Sequence, residues 1–331
     1  MLKDVCTPNA VEYNYGLAAF KCILAFCIVF LHFGCGEHPH APSWSVPAFM
    51  IVSFYLMKSL WQKPSWHTLS ARLARLACPF FIWGIFYWIA NGLFTGEFSL
   101  RALFWQLVVG HTVCMPLYFL FLLMLFTGLL FTVFKAIKQA SVRRALFLSL
   151  ATLCCIIQYS GVNATLCTML GERIPEMLYP IGRIAELLPA ALIGLILSNG
   201  KVRTLSAAHE RLTGFSGCLI ASLGIILSNT TPIPKGFLYQ GIPILLEASG
   251  TTLIFLSCNK LLLKIPTTCH YLQMLSSVML GVYCLHWLIG FFMLKICGLS
   301  SGIRLTFVVY AVATVCSIAL SKFSLARKVV C

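Results

Sequence analysis

The sequence predicts an all-α, polytopic integral membrane bundle of about ten transmembrane helices, with both termini in the cytoplasm. Three observations carry this expectation. The 331 residues have a mean hydropathy of +0.91, with 60% hydrophobic and only 10% charged residues, too little polar material to cover a soluble domain of this size. The apolar stretches are long and aperiodic, as spanning helices require, and lack the short alternation of outer-membrane strands. The lysines and arginines concentrate in every second connecting segment.

The elements follow in chain order. The first span covers about 15 to 34; it carries His32 and has no small-residue cleavage site behind it, so it reads as a true span and not as a removable signal. A second lies at 44 to 61, and a third at 77 to 95 behind a basic foot that holds Arg72 and Arg75. Leu100 to His111 is apolar but too short to cross, and is expected to be an interfacial or re-entrant piece. Further spans are expected at 115 to 134, 145 to 160, 179 to 198, 212 to 228, 237 to 257, 272 to 295 and 303 to 321. Residues 1 to 331 read as a single transmembrane domain without an appended soluble one.

With ten crossings the basic residues sort by side. One set of segments holds Lys3, the residues from Lys58 to Arg75, Lys135 to Arg144, Lys201 to Arg211, Lys260 and Lys264, and Lys322 to Lys328, which is 17 of the 24 lysines and arginines. That asymmetry places these segments, and both termini, in the cytoplasm. The formal charge of +15 is therefore topological, and without an aromatic-interleaved basic module it does not indicate nucleic acid. Of the sixteen cysteines, most lie inside apolar runs, where thiols pack as small hydrophobes. No Cys or His spacing suggests a metal site.

Candidate chemistry begins with Lys21 and His32. Eleven residues apart in a helix, they return to within ~20° of one direction and lie ~16 Å apart along the axis, about half a bilayer core. Ionisable groups inside a span are costly unless they face a partner or a wet cavity. On the inferred topology His32 and His286 both fall in the outer half of the membrane. Arg183 and Glu186 form an i, i+3 pair near the outer end of their helix. Glu37 follows His32 in the outward loop, and Glu247 lies near mid-membrane. These residues are expected to meet in one outward-opening polar cavity. A histidine beside a carboxylate and an arginine suits general-base activation of a hydroxyl. On the cytoplasmic side, Arg72 and Arg75 offer two guanidinium forks at i, i+3, suited to phosphate, though topology alone would also explain them.

Several strings then resemble one family. The stretch from Asn14 through Lys21 to His32 and Gly34 resembles the first-span signature of acyltransferase family 3, an arginine, ten residues and a histidine. Ser45 to Leu56 is similar to its second-span string, Arg72 and Arg75 followed by Pro79 to its basic approach to the third span, Pro116 to Leu120 to its Leu-Trp-Phe-Leu stretch, and Gly281 to His286 to its late Tyr-x-x-His. The matches run in the family's order across nearly the whole chain. Two departures stand out: Lys21 replaces the arginine, exchanging a planar fork for a point charge, and Phe54 stands where the family usually has glycine.

The resemblance implies a membrane O-acyltransferase of the bacterial cytoplasmic membrane, most simply an O-acetyltransferase of surface polysaccharides. The donor would be cytoplasmic acyl-CoA (acetyl-CoA), bound by Lys21, Arg72 and Arg75, with no resident cofactor and no metal. The acceptor would be a hydroxyl of a carbohydrate or surface glycan at the outer face. His32 would be catalytic, either as general base or as a transient acyl carrier, aided by Glu186 and His286, while Glu37, Arg183 and Glu247 would contact substrate. The lipid bilayer is the remaining partner, and no nucleic acid is expected. Two alternatives stay open: a secondary transporter of a small polar solute, against which the absence of internal repeats counts, and an acyltransferase-like protein with an altered donor, suggested by Lys21.

Overall fold

A computed structural model describes residues 13–34, 42–111, 115–159, 162–230 and 241–330. The described residues are helical throughout, with short connections. In chain order they form α1 (Tyr15–Phe33), α2 (Ser45–Leu56), α3 (Lys58–Gln62), α4 (Trp66–Thr95), α5 (Leu100–Val109), a 3-10 turn Met115–Leu117, α6 (Tyr118–Ala136), α7 (Ala140–Tyr159) and α8 (Val162–Arg173). A second 3-10 turn, Pro175–Met177, leads to α9 (Leu178–Leu197), α10 (Gly200–Ala208), α11 (Glu210–Thr230), α12 (Gly241–Ser257), α13 (Asn259–Leu263), α14 (Pro266–Ser277), α15 (Met279–Lys295), α16 (Ile303–Ser321) and α17 (Ser324–Val330).

Eight helices among the described residues are long and apolar enough to cross a membrane, and α14 with α15, bent by 58° at Val278, makes nine. A tenth crossing rests on the run expected at 44 to 61, which is broken at Met57 into α2 and α3. Twelve residues of α-helix rise only ~18 Å, short of a ~30 Å hydrocarbon core. Most of α2 is buried against neighbouring helices, so protein and not lipid surrounds it. The segment expected to be interfacial or re-entrant is the ten-residue α5, capped by the Ser99 side chain and closed at Gly110, whose φ of 70° turns the chain back.

The core is built by α1, α2, α6, α9 and α15, while α4, α11 and α16 expose apolar faces such as Phe81, Ile85, Leu219, Ile226 and Phe307. In a spanning bundle those faces meet lipid. Glycine sets the closest approaches. A Cβ on Gly217 or Gly250 would strike the backbone of the opposite helix, so α11 and α12 pack backbone to backbone. Phe54 is fully buried and stacks on Trp61 at 5.7 Å. The space it needs comes from Gly194 on α9, where a Cβ would stand 2.8 Å from that of Phe54.

Candidate active site

Helix α1 begins where the Asn14 side chain accepts from Leu17 N at 2.8 Å, and Gly16 lets its first turn rest on the Phe255 carbonyl of α12. Lys21 then lies beside the break between α14 and α15. Its Nζ donates to the Ser276 carbonyl at 3.1 Å. Ser276 is in the last turn of α14, where helix carbonyls lack intrahelical partners, so the bend itself creates the acceptor.

Around Lys21 opens a cavity of 390 Å³ lined by Arg72, Arg75, Ser53, Ser276 and Ser277 among apolar neighbours, with three cations and no carboxylate among the described residues of its wall. The two arginines reach it because α4 starts at Trp66, about three turns before the apolar stretch, which puts them on a helical foot and not in a loop. Arg72 Nε is buried and has no hydrogen-bond partner among the described residues. A basic concavity into which one guanidinium brings a spare N–H is suited to an anion.

At the other end of α1, His32 meets α15. Its ring stacks on that of His286 at 5.3 Å between centroids, inclined by 28°, and its edge meets Trp287 at 5.1 Å. This approach is possible because Gly290, one turn beyond His286, leaves room for the Phe33 ring; a Cβ there would stand 2.1 Å from it. His286 is fully buried, and its Nδ1 lies 2.6 Å from the Tyr283 carbonyl. A carbonyl can only accept, so Nδ1 carries the proton and Nε2 the lone pair. That Nε2 is buried with no partner among the described residues.

Two tyrosines complete the surroundings. The Tyr87 hydroxyl of α4 donates to the Cys284 carbonyl at 2.5 Å and accepts from Leu288 N at 3.1 Å. Those two groups are i, i+4 partners in a regular helix, so Tyr87 is inserted into the α15 ladder at the turn that bears His286. Tyr283 lines the basic cavity and donates its hydroxyl to the Pro116 carbonyl, with its ring 5.9 Å from His286. It borders both the cavity and the histidine pair.

The remaining expected residues lie elsewhere. Arg183 and Glu186 pair at 2.6 Å, both nearly buried, with Tyr118 hydrogen-bonded to Arg183 and Tyr179. His111 stacks on Tyr179 at 4.4 Å, and burial pushes its imidazole down to about 4. A chain of neighbours leads from this cluster through Tyr118, Pro116 and Tyr283 to His286. Glu247 accepts from Ser228 Oγ at 2.7 Å within the α11 and α12 contact. Glu37 lies outside the described residues. Instead of one shared cavity, the structure divides the expected residues among a basic cavity, a histidine pair, an ion-pair cluster and a helix contact.

Tyr87, Trp287, His111 and Tyr179 were not singled out by the sequence, whereas Tyr118 lies within the Pro116 to Leu120 string. Aromatic residues inside apolar runs look like packing, and only their partners distinguish them. Tyr283 had a signal, since it opens the Tyr-x-x-His string that ends at His286.

Comparison with known families supplies the class. The model of the acyltransferase domain of acyltransferase family 3 matches residues 14–322, nearly the whole chain. The chain therefore belongs to this family and is a multi-pass membrane acyltransferase, an enzyme transferring groups other than amino-acyl groups. No curated protein and no solved structure matched it.

Proposed function

We propose that this acyltransferase takes an acyl group, most simply acetyl, from acyl-CoA bound in the cavity of Lys21, Arg72 and Arg75, and delivers it to a carbohydrate hydroxyl beside His32. The observation that carries this reading is that Tyr283 both lines the cavity of Lys21, Arg72 and Arg75 and lies beside His286. The phosphates of the donor suit the guanidinium and ammonium groups, with Lys21 a point charge where a fork would be bidentate. About 16 Å of α1 separates Lys21 from His32, a distance for the acyl-bearing arm to span.

In the simpler sequence His32 removes the acceptor hydroxyl proton as the oxygen attacks the thioester carbonyl. The new C–O bond forms, the C–S bond breaks, and the thiolate leaves with the proton that His32 held. If His32 instead carries the acyl group, its nitrogen attacks first and the acceptor displaces it in a second step. His286, with Nε2 bare, is placed to orient His32 or share its proton. The sidedness of the basic loops supports a cytoplasmic donor and an outward acceptor across a bacterial cytoplasmic membrane.

Equilibrium binding of labelled acetyl-CoA to the purified chain tests the donor half. Saturable binding that weakens about tenfold in Arg72→Ala is expected, the loss of one charged contact. Movement of a polar solute across proteoliposomes with no acetyl-CoA binding would point to the transporter alternative instead.

A further inference from the structure

The histidine pair depends on how α15 is set, and α15 is gripped from outside at that very turn. Tyr87, 3% exposed on α4, donates its hydroxyl to the Cys284 carbonyl at 2.5 Å and accepts from Leu288 N at 3.1 Å. Leu285, His286 and Trp287 lie between these two anchor points. The turn that Tyr87 holds is therefore the turn that meets His32.

Neither anchor needs the phenol. A carbonyl and an N–H four residues apart satisfy one another in a regular helix. A phenylalanine ring at position 87 would fill the same buried space, beside Trp83 at 6.2 Å. What the hydroxyl adds is geometry, since an oxygen bridging the two groups keeps the turn from closing to its regular width. The His286 ring is not free to swing in compensation, because its Nδ1–H is tied to the Tyr283 carbonyl of the same helix at 2.6 Å. A change in the turn passes directly to the ring.

The element that carries Tyr87 is also fixed at the donor end. Helix α4 runs unbroken from Trp66 to Thr95, with Arg72 and Arg75 in the wall of the basic cavity and Tyr87 twelve residues beyond Arg75. Twelve residues rise ~18 Å, close to the ~16 Å between Lys21 and His32 on α1. Both helices thus reach from the donor cavity to the histidine turn.

We propose that Tyr87 is a positioning residue for acyl transfer, its hydroxyl setting the turn of α15 that holds His286 against His32. It acts through His286 and not on the reacting atoms. This inference rests on the acyl-transfer reading of His32.

Isolated membranes containing the full chain, supplied with labelled acetyl-CoA and their own glycan, give initial rates of label transfer per folded molecule. Four forms are compared: the unaltered chain, Tyr87→Phe, His286→Phe and the double variant. Tyr87→Phe should lower kcat about tenfold, below the ~100-fold cost of a 1 Å misplacement, with the apparent KM for acetyl-CoA kept. In the His286→Phe background the same substitution should have no further effect, because a residue that acts through another is fully coupled to it. A lowered unfolding temperature with an unaltered rate per folded molecule would make Tyr87 purely structural and overturn the proposal. So would a tenfold loss that persists undiminished in His286→Phe. Labelling that persists in His32→Ala would overturn the acyl-transfer reading, and the role of Tyr87 with it.

Discussion

The α11 and α12 contact and the α1 and α15 contact both rely on glycine, and both hold an ionisable side chain. They use it differently. Between α11 and α12, Gly217, Gly224 and Gly250 bring backbones together, and Glu247 is answered within the contact by Ser228. Between α1 and α15 a single glycine, Gly290, admits the Phe33 ring, which keeps the helices a ring's width apart. One turn away, His32 and His286 face each other, with His286 Nε2 unanswered among the described residues. A buried polar atom left without a partner carries a penalty that a structural contact has no reason to keep. The comparison separates an ionisable group that holds helices together from one kept available for chemistry.

The largest effect is expected where the spare valence is removed. His286→Phe keeps an aromatic ring against His32 but deletes Nε2, and transfer should fall about a hundredfold with acetyl-CoA binding retained. Steady-state rates beside binding isotherms check this.

The two glycine contacts should then diverge under overpacking. In Gly290→Leu the added side chain meets Phe33, which Trp287 and His286 pin in place, so the histidines must shift. Stability should drop by ~1–3 kcal/mol and transfer should be lost with it. Gly224→Leu meets the Glu247 amide and the Pro243 carbonyl and should cost as much in stability, yet the rate per folded molecule should stay as in the unaltered chain. Thermal unfolding in detergent, paired with rates corrected for folded protein, distinguishes them. Glu247→Gln should be milder still, costing ~1 kcal/mol through the weakened Ser228 bond and leaving the rate unchanged.

The smallest effect concerns His111. Burial lowers its pKa to about 4 from an ordinary ~6.5, so between those values the unfolded chain binds more protons than the folded one. The stability it contributes is present above pH ~6.5 and is lost as pH falls toward 4. His111→Gln should flatten the fall in unfolding temperature between pH 7 and pH 5 relative to the unaltered chain.

Much of the architecture was legible because hydropathy reports lipid exposure, and nearly every expected span has a helical counterpart. The break at Met57 was not, since the apolar run from 44 to 61 carries no internal glycine or late proline to mark it. The stripe from Lys21 to His32 was legible because helical spacing is a local property. That His32 meets His286, 254 positions away, is tertiary, and spacing cannot supply it. Gly290 looked like one more small residue in a span, and Tyr87 like one more aromatic. Their roles depend on Phe33 and on the α15 ladder, which only packing reveals.

The central claim is that donor binding and chemistry sit at opposite ends of α1. Single-turnover transfer from labelled acetyl-CoA, measured on His32→Ala beside the unaltered chain, tests it most directly. The variant should bind acetyl-CoA with undiminished affinity and form no acylated product. Product formed at the unaltered rate, or donor binding lost together with transfer in a variant that remains folded, would contradict the account.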